Sequence, residues 1–166
     1  ITKSEYPNIE VIYGKVNEPE LADICRRADC FVFPSRGEGF GMTPLEAMAT
    51  GMPAIVPNAH GITEYFDPAY MFEVKVKETC PALYQRYKGM DVGQMVVCDV
   101  DDLRRQMRWI YEHQDEAIKR GQSASNYVKQ WTYANTAAII KAKVDEAMLQ
   151  PVDHKKITNV LTLEQV

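Results

Sequence analysis

Two carboxylates with seven residues between them, Glu38 and Glu46, flank the run Gly39-Phe40-Gly41-Met42-Thr43-Pro44-Leu45. The run follows an apolar segment and precedes a helical pattern. An α/β fold places ligands at such a junction, at the carboxyl end of a strand and the start of the next helix. Gly39 and Gly41 let the backbone approach a ligand closely. The unpaired N–H groups at a helix start receive phosphate oxygens, and the helix dipole favours negative charge there. Carboxylates accept hydrogen bonds from sugar hydroxyls. A sugar diphosphate suits this combination.

Plainer roles exist for most of these residues. The glycines could simply make a strand-to-helix turn. Thr43-x-x-Glu46 reads as a capping box, with Thr43 at the N-cap, Pro44 at N1 and Glu46 at N3. Taken alone, Glu46 is then better explained by capping than by ligand contact. Glu38 has no such structural role. No Gly-Lys-Ser/Thr follows, so the run is not a phosphate loop of the Walker type. A dinucleotide fingerprint begun at Gly37 would need a third glycine at position 42, which is Met42. Arg36 could offer a positive charge to an anion or sit on the solvent-exposed surface.

The elements that must hold these residues follow from the pattern. Ile9–Tyr13 is a β-branched run ending at Gly14 and reads as a strand. Asn17 and Glu20 form a capping box with Pro19 in the first turn, and Leu21, Ile24, Cys25 and Ala28 share one helical face. Cys30–Phe33 is apolar without alternation, as expected of a parallel strand covered on both faces. A helix from Thr43-Pro44 to Thr50 stops at Gly51 and Pro53. Ala54–Val56 is a further strand, and Ile62–Phe66 a short helix. This alternation predicts an α/β fold, a Rossmann-like parallel sheet with flanking helices.

Residues 70–98 are less regular. Met71–Val76 alternates like a half-exposed strand, Pro81–Gly89 reads as a surface excursion and Gln94–Cys98 as a strand. Three apolar stripes follow from Asp101, on helical spacing: Leu103, Met107, Ile110 and Tyr111; Ala124, Tyr127, Val128 and Trp131; Ala137, Ile140, Val144 and Met148. Pro151 ends the run. We expect a globular domain over 1–150 and a tail over 151–166 that is mobile or docked elsewhere.

Composition narrows the function. The chain has 166 residues, 46% hydrophobic and 25% charged, as in ordinary globular domains. Its net charge is -4, which argues against nucleic acid as a partner. No apolar run is long enough to span a bilayer and no signal peptide opens the chain, so a cytoplasmic setting is expected. The four cysteines, Cys25, Cys30, Cys80 and Cys98, lack zinc spacing, and there are only three histidines, so no metal site is expected. Asp99-x-Asp101-Asp102 reads as a helix N-terminus.

Glu38-Gly-Phe-Gly-Met-Thr-Pro-Leu-Glu46 resembles the E-x7-E motif of retaining glycosyltransferases of family 4, which have the GT-B fold. The flanks Ala28–Ser35 and Glu46–Val56 are similar to the family's usual lead-in and follow-on, and Arg120-Gly121 to Trp131-Thr132 to its late helix and the element after it. The resemblance covers about Ile9 to Val144 and is weak over 70–98.

It implies the C-terminal half of a GT-B fold, which binds a nucleotide sugar against an N-terminal acceptor domain. Glu38 would contact donor-sugar hydroxyls as the catalytic-site carboxylate. Gly39 and the backbone amides of Phe40, Gly41, Met42 and Thr43 would hold the sugar or diphosphate, and Glu46 the ribose hydroxyls. Lys15 and Val16 correspond to a loop beside the base. His60 and Gly61 stand where the family has a double glycine near the donor phosphates. The resemblance implies no metal or other cofactor.

The family's diphosphate-clamping Arg and Lys have no match here, and the chain opens at Ile1 without an initiator Met. Truncation is therefore expected, with the acceptor domain and the first one or two βα units missing and the isolated chain inactive. The parent enzyme could still sit peripherally at a membrane. The alternatives are a non-catalytic scaffold with the same fold and a sugar-nucleotide epimerase.

Overall fold

The computed structural model describes residues 8–12, 14–82, 90 and 92–149. The described residues fall into two compact units, Ile1–Lys129 and Gln130–Val166.

In the first unit, helix α1 spans Glu18–Arg26. Its start is the expected reciprocal box: the Glu20 N–H donates to Asn17 Oδ1 at 2.9 Å and the Asn17 N–H to Glu20 Oε2 at 3.1 Å. Strand β1 (Phe31–Val32), helix α2 (Met42–Ala49), strand β2 (Ala54–Val56) and strand β3 (Phe72–Glu73) follow. The strands form a parallel sheet in the order β1-β2-β3, with Phe31 opposite Ala54 and Ile55 opposite Phe72. Strands β4 (Val76–Pro81) and β5 (Gln94–Cys98) pair antiparallel as a separate sheet. Helices α3 (Val100–Glu112) and α4 (Gln114–Tyr127) complete the unit.

Helices cover both faces of the parallel sheet. Ile55, Phe72 and Val74 pack with Ile110 of α3 and Ala117 of α4, joined by Val32. Cys25 of α1, Ala47 of α2 and Met52 pack together, joined by Phe31. Successive residues of β1 thus serve opposite faces, as the pleat requires. All of β2 is fully buried. Strand β1 was expected to be equally covered but is only half-buried, because it is the edge of the three-stranded sheet.

Several expectations are corrected. Residues 9–12 form no strand. Ile9, Val11 and Ile12 are exposed, and β-branched residues alone do not hold an extended segment that has no ladder partner. Tyr13 lies outside the described residues. The expected Met71–Val76 alternation holds only over Phe72–Lys75, where Phe72 and Val74 are buried and Glu73 and Lys75 exposed; Met71 is buried and Val76 exposed. The strand nevertheless breaks at Lys75. Its N–H donates to the Asp102 carboxylate at 2.7 Å, and its carbonyl accepts the Asp99 N–H at 2.8 Å. Both backbone groups have left the ladder, and the chain swings from the parallel sheet into the hairpin. That hairpin, reaching Pro81 on one arm and Gln94 on the other, replaces much of the expected irregular stretch; residues 83–89 lie outside the described residues.

The stripe on α3 is also shifted. Ile110 is buried but Met107 and Tyr111 are 47% and 68% exposed; Trp109, against Phe72, fills the inner face instead. In the second stripe Ala124 and Val128 are buried and Tyr127 and Trp131 half-buried; Ala117 and Gly121, not read as part of it, are buried too. Asp99 caps α3 through the N–H groups of Asp101 and Asp102, as expected.

In the second unit, helix α5 (Tyr133–Met148) is capped by Thr132, which accepts the Asn135 N–H at 3.2 Å. No residue of α5 is buried, so the expected third stripe, with Ile140, Val144 and Met148, is solvent-facing. The tail expected over 151–166 lies outside the described residues.

Candidate active site

The loop between β1 and α2 leaves the sheet at its carboxyl edge. Ser35, the second residue after Phe33, turns back on that loop. Its hydroxyl donates to Glu38 Oε1 at 2.7 Å. The bond orients a half-buried carboxylate that would otherwise swing freely. Ser35 carries no role in the sequence reading; a serine three residues before a carboxylate in a turn was the signal.

The start of α2 departs from the expected capping box. The helix begins at Met42, with Gly41 as N-cap at φ 80° and ψ 63°, and no side chain caps it. Thr43 therefore falls at N2, Pro44 at N3 and Glu46 beyond the first turn. The cause is the left-handed turn at Gly41, which lets the helix start two residues earlier than a Thr43 cap would. Pro44 has no N–H to satisfy. The amides of Gly41, Met42 and Thr43 remain as the orphan donors of the helix start. Glu46 is exposed and has no capping duty.

A second segment closes on this loop. Ala59 leads into a 3₁₀ turn, His60–Glu64, in place of the expected Ile62–Phe66 helix. Gly61 donates its N–H to the Glu38 carbonyl at 3.2 Å. His60 stands at φ 53°, the one non-glycine residue with positive φ among the described residues. Its carbonyl accepts the Thr63 hydroxyl at 2.6 Å. The structure thus brings Glu38, Gly39, Phe40, Gly41, His60 and Gly61 together, although some twenty positions separate the two segments.

Tyr65, just beyond the turn, was missed by the sequence reading. It is 1% exposed, and its hydroxyl donates to the Gly41 carbonyl at 2.7 Å. Its ring meets Phe40 edge-on, centroids 5.4 Å apart. Burial, and then the charge of Glu38, push its phenol well above the usual tyrosine range. The hydroxyl therefore stays protonated and can only donate to that carbonyl.

Arg36 is exposed, and its guanidinium lies 2.8 Å from Cys80 Sγ on β4. Its carbonyl accepts the Val96 N–H of β5 at 2.8 Å. The hairpin therefore buttresses the loop just ahead of Glu38. Lys15 and Val16 are exposed ahead of α1. Val16 lines a groove with Ile12, Glu20, Asp23 and Arg27, and no residue of the Glu38 loop lines that groove. A more enclosed groove of about 620 Å³ lies beside Asp29, Cys30, Met52 and Pro53. These residues precede β1 and β2, so it opens at the amino ends of the strands, away from Glu38. No group of three or more metal-ligating side chains occurs among the described residues.

Comparison with known proteins finds likeness over the segment that contains this loop. Residues 4–78 match the family model described as Glycosyl transferases group 1. The group 1 segment contains the whole Glu38–Glu46 run, the His60–Gly61 turn and Tyr65. The D-inositol 3-phosphate glycosyltransferase of Arthrobacter sp. is 27% identical over 142 residues, 86% of this chain and 29% of that protein. The mannosylfructose-phosphate synthase of Agrobacterium fabrum is 54% identical over 48 residues, 29% of this chain and 10% of that protein. A lipopolysaccharide core biosynthesis mannosyltransferase of Rhizobium meliloti is 50% identical over 44 residues, 26% of this chain and 12% of that protein. The chain spans at most about three tenths of the length of these relatives. The helix-flanked parallel sheet is consistent with a Rossmann-like domain of the GT-B type. No helix among the described residues is long and apolar enough to cross a membrane.

Proposed function

We propose that this chain is the donor-binding part of a retaining glycosyltransferase of family 4, which moves a sugar from a nucleotide diphosphate sugar to an acceptor. The observation that carries the proposal is the uncapped start of α2 beside a carboxylate held by Ser35. Free amides at a helix start suit a diphosphate, and a fixed carboxylate suits hydroxyl donors. The group 1 match over the same residues supports it.

In this reading the Gly41, Met42 and Thr43 amides receive the diphosphate. Glu38 accepts hydrogen bonds from the donor sugar. Glu46, exposed near the start of α2, accepts them from the ribose. As the bond from the anomeric carbon to the diphosphate oxygen breaks, charge builds on the leaving group, where the helix start stabilises it. The acceptor oxygen then bonds to the anomeric carbon, and its proton passes to the departing diphosphate oxygen. The acceptor is held by a further domain of a longer protein, and this chain alone is inactive. No metal or other cofactor enters the proposal. Four unpaired cysteines fit a cytoplasmic setting.

The test is ligand-observed NMR with UDP, GDP, ADP and their sugar conjugates. We expect one nucleotide to bind selectively with a dissociation constant in the millimolar range, about -4 kcal/mol. Glu46→Ala should weaken it without unfolding the chain. Equal, substitution-insensitive signals from all three nucleotides, or none, would count against the proposal.

A further inference from the structure

Tyr65 is the largest of the fully buried side chains among the described residues. Packing needs only its ring. Its hydroxyl is a buried polar group whose burial is tolerated because it has a partner, and that partner is the Gly41 carbonyl, at 2.7 Å. The partner is an unusual one. Gly41 is the left-handed residue at which the loop becomes α2. Its carbonyl belongs to the same planar peptide group as the Met42 N–H. Fixing one end of that plane fixes the direction of the other. The Met42 N–H is among the amides of α2 that no intrahelical carbonyl takes.

Tyr65 is itself held from behind. The Tyr127 hydroxyl, on α4, donates to the Tyr65 carbonyl at 3.0 Å. The Tyr127 ring stacks on Tyr70 with centroids 4.2 Å apart. Two tyrosine hydroxyls therefore link the core helix α4 to the first peptide of α2. A β-carbon at position 41 would lie 2.9 Å from the Tyr65 oxygen, so the contact leaves that peptide little room to turn.

We infer that Tyr65 is a positioning residue, which by holding the Gly41 carbonyl aims the Met42 N–H out of the start of α2 at the anionic group of the ligand. Its ligand role rests on the donor-binding reading above; its effect on the Gly41–Met42 peptide does not. Tyr127 supports it through the Tyr65 backbone.

The experiment compares wild type, Tyr65→Phe and Tyr127→Phe by NMR, with inorganic pyrophosphate as the probe. Tyr65→Phe keeps the ring and removes only the hydroxyl. The Met42 amide resonance should move, because its peptide plane is no longer held from the carbonyl side. The Gly41 carbonyl carbon should move upfield, while hydrogen exchange at Ile55 and Val56 stays unchanged. Pyrophosphate should shift the Met42 amide in wild type and bind about tenfold more weakly to Tyr65→Phe. Tyr127→Phe should give the same pattern at smaller size. A merely structural role would speed hydrogen exchange at Ile55 and Val56 as well as moving Met42. That outcome, or unmoved Met42 amide and Gly41 carbonyl resonances in both variants, overturns the inference. If wild type binds no pyrophosphate, the ligand reading fails, while the Met42 amide and Gly41 carbonyl resonances still decide whether Tyr65 sets the peptide. Equal pyrophosphate affinity in wild type and Tyr65→Phe overturns its role in binding.

Discussion

A β-carbon on Gly61 would sit 2.1 Å from the Gly39 carbonyl oxygen and 2.7 Å from Phe40 Cα. These are backbone atoms with no flexible end to yield. The 3₁₀ turn and the Glu38 loop are therefore fitted at van der Waals contact, with Gly61 as the only residue type that permits it.

Gly61→Ala must push the two segments apart. Overpacking of this kind costs about 1–3 kcal/mol. Urea unfolding should show that loss, and the amide resonances of residues 38–41 should shift. Gly39→Ala is the matched control, because a β-carbon there meets nothing within 4 Å. It should change stability by less than about 0.5 kcal/mol. A loss of nucleotide binding in Gly39→Ala would then report the ligand and not the fold.

Glu46 separates affinity from stability. It is exposed and does not cap α2, whose N-cap is Gly41. Glu46→Gln should alter the unfolding free energy by no more than about 0.5 kcal/mol. Nucleotide affinity should fall several-fold in the same protein. A stability loss near 1 kcal/mol, the typical worth of a cap, would restore the capping role.

Asp102 is the buried carboxylate at the break between β3 and β4. One oxygen accepts the Lys75 N–H at 2.7 Å and the other the Arg105 guanidinium at 2.8 Å. Asp102→Ala leaves that N–H without its partner and should cost about 1–3 kcal/mol. Arg105 is 63% exposed at its side chain, so Arg105→Ala should cost under about 1 kcal/mol. Denaturant midpoints for the two variants would rank them; equal losses would assign the worth of the site to the ion pair.

Asp99 gives the chain an acid-side pH dependence. The N–H groups of Asp102 and Asp101 hold its carboxyl below the ordinary value of 3.8, with the Asp102 bond the larger cause. A depressed folded value means the unfolded chain binds the proton first. Its stabilisation is present above pH 3.8 and is lost as pH falls through the lower folded value. Asp99→Asn retains an N-cap acceptor but not the charge. Wild type should be the more stable of the two near neutral pH, and the difference should vanish in acid. A difference independent of pH would show that the charge plays no part.

The α/β class was legible because local signals and tertiary demands agree. Asn17 and Glu20 cap α1 from within four residues, Asp99 caps α3 likewise, and Ala54–Val56 is apolar enough to be nothing but a covered strand. The carboxylates Glu38 and Glu46 were legible from residue type and spacing. The start of α2 was not: Thr43, Pro44 and Glu46 satisfy a capping box locally, yet Gly41 adopts a left-handed turn that Tyr65, far along the chain, holds from the core. The break at Lys75 was hidden for the same reason, since its backbone partners lie on Asp99 and Asp102. Ile9–Ile12 erred in the opposite direction, as strand propensity found no ladder to join. Residue types and short spacings thus determined which groups can do chemistry and which segments are helix or covered strand. Only the tertiary structure decided where α2 begins, what holds Gly41 in place, and where the sheet ends, because each depends on a hydrogen bond whose donor and acceptor share no local sequence.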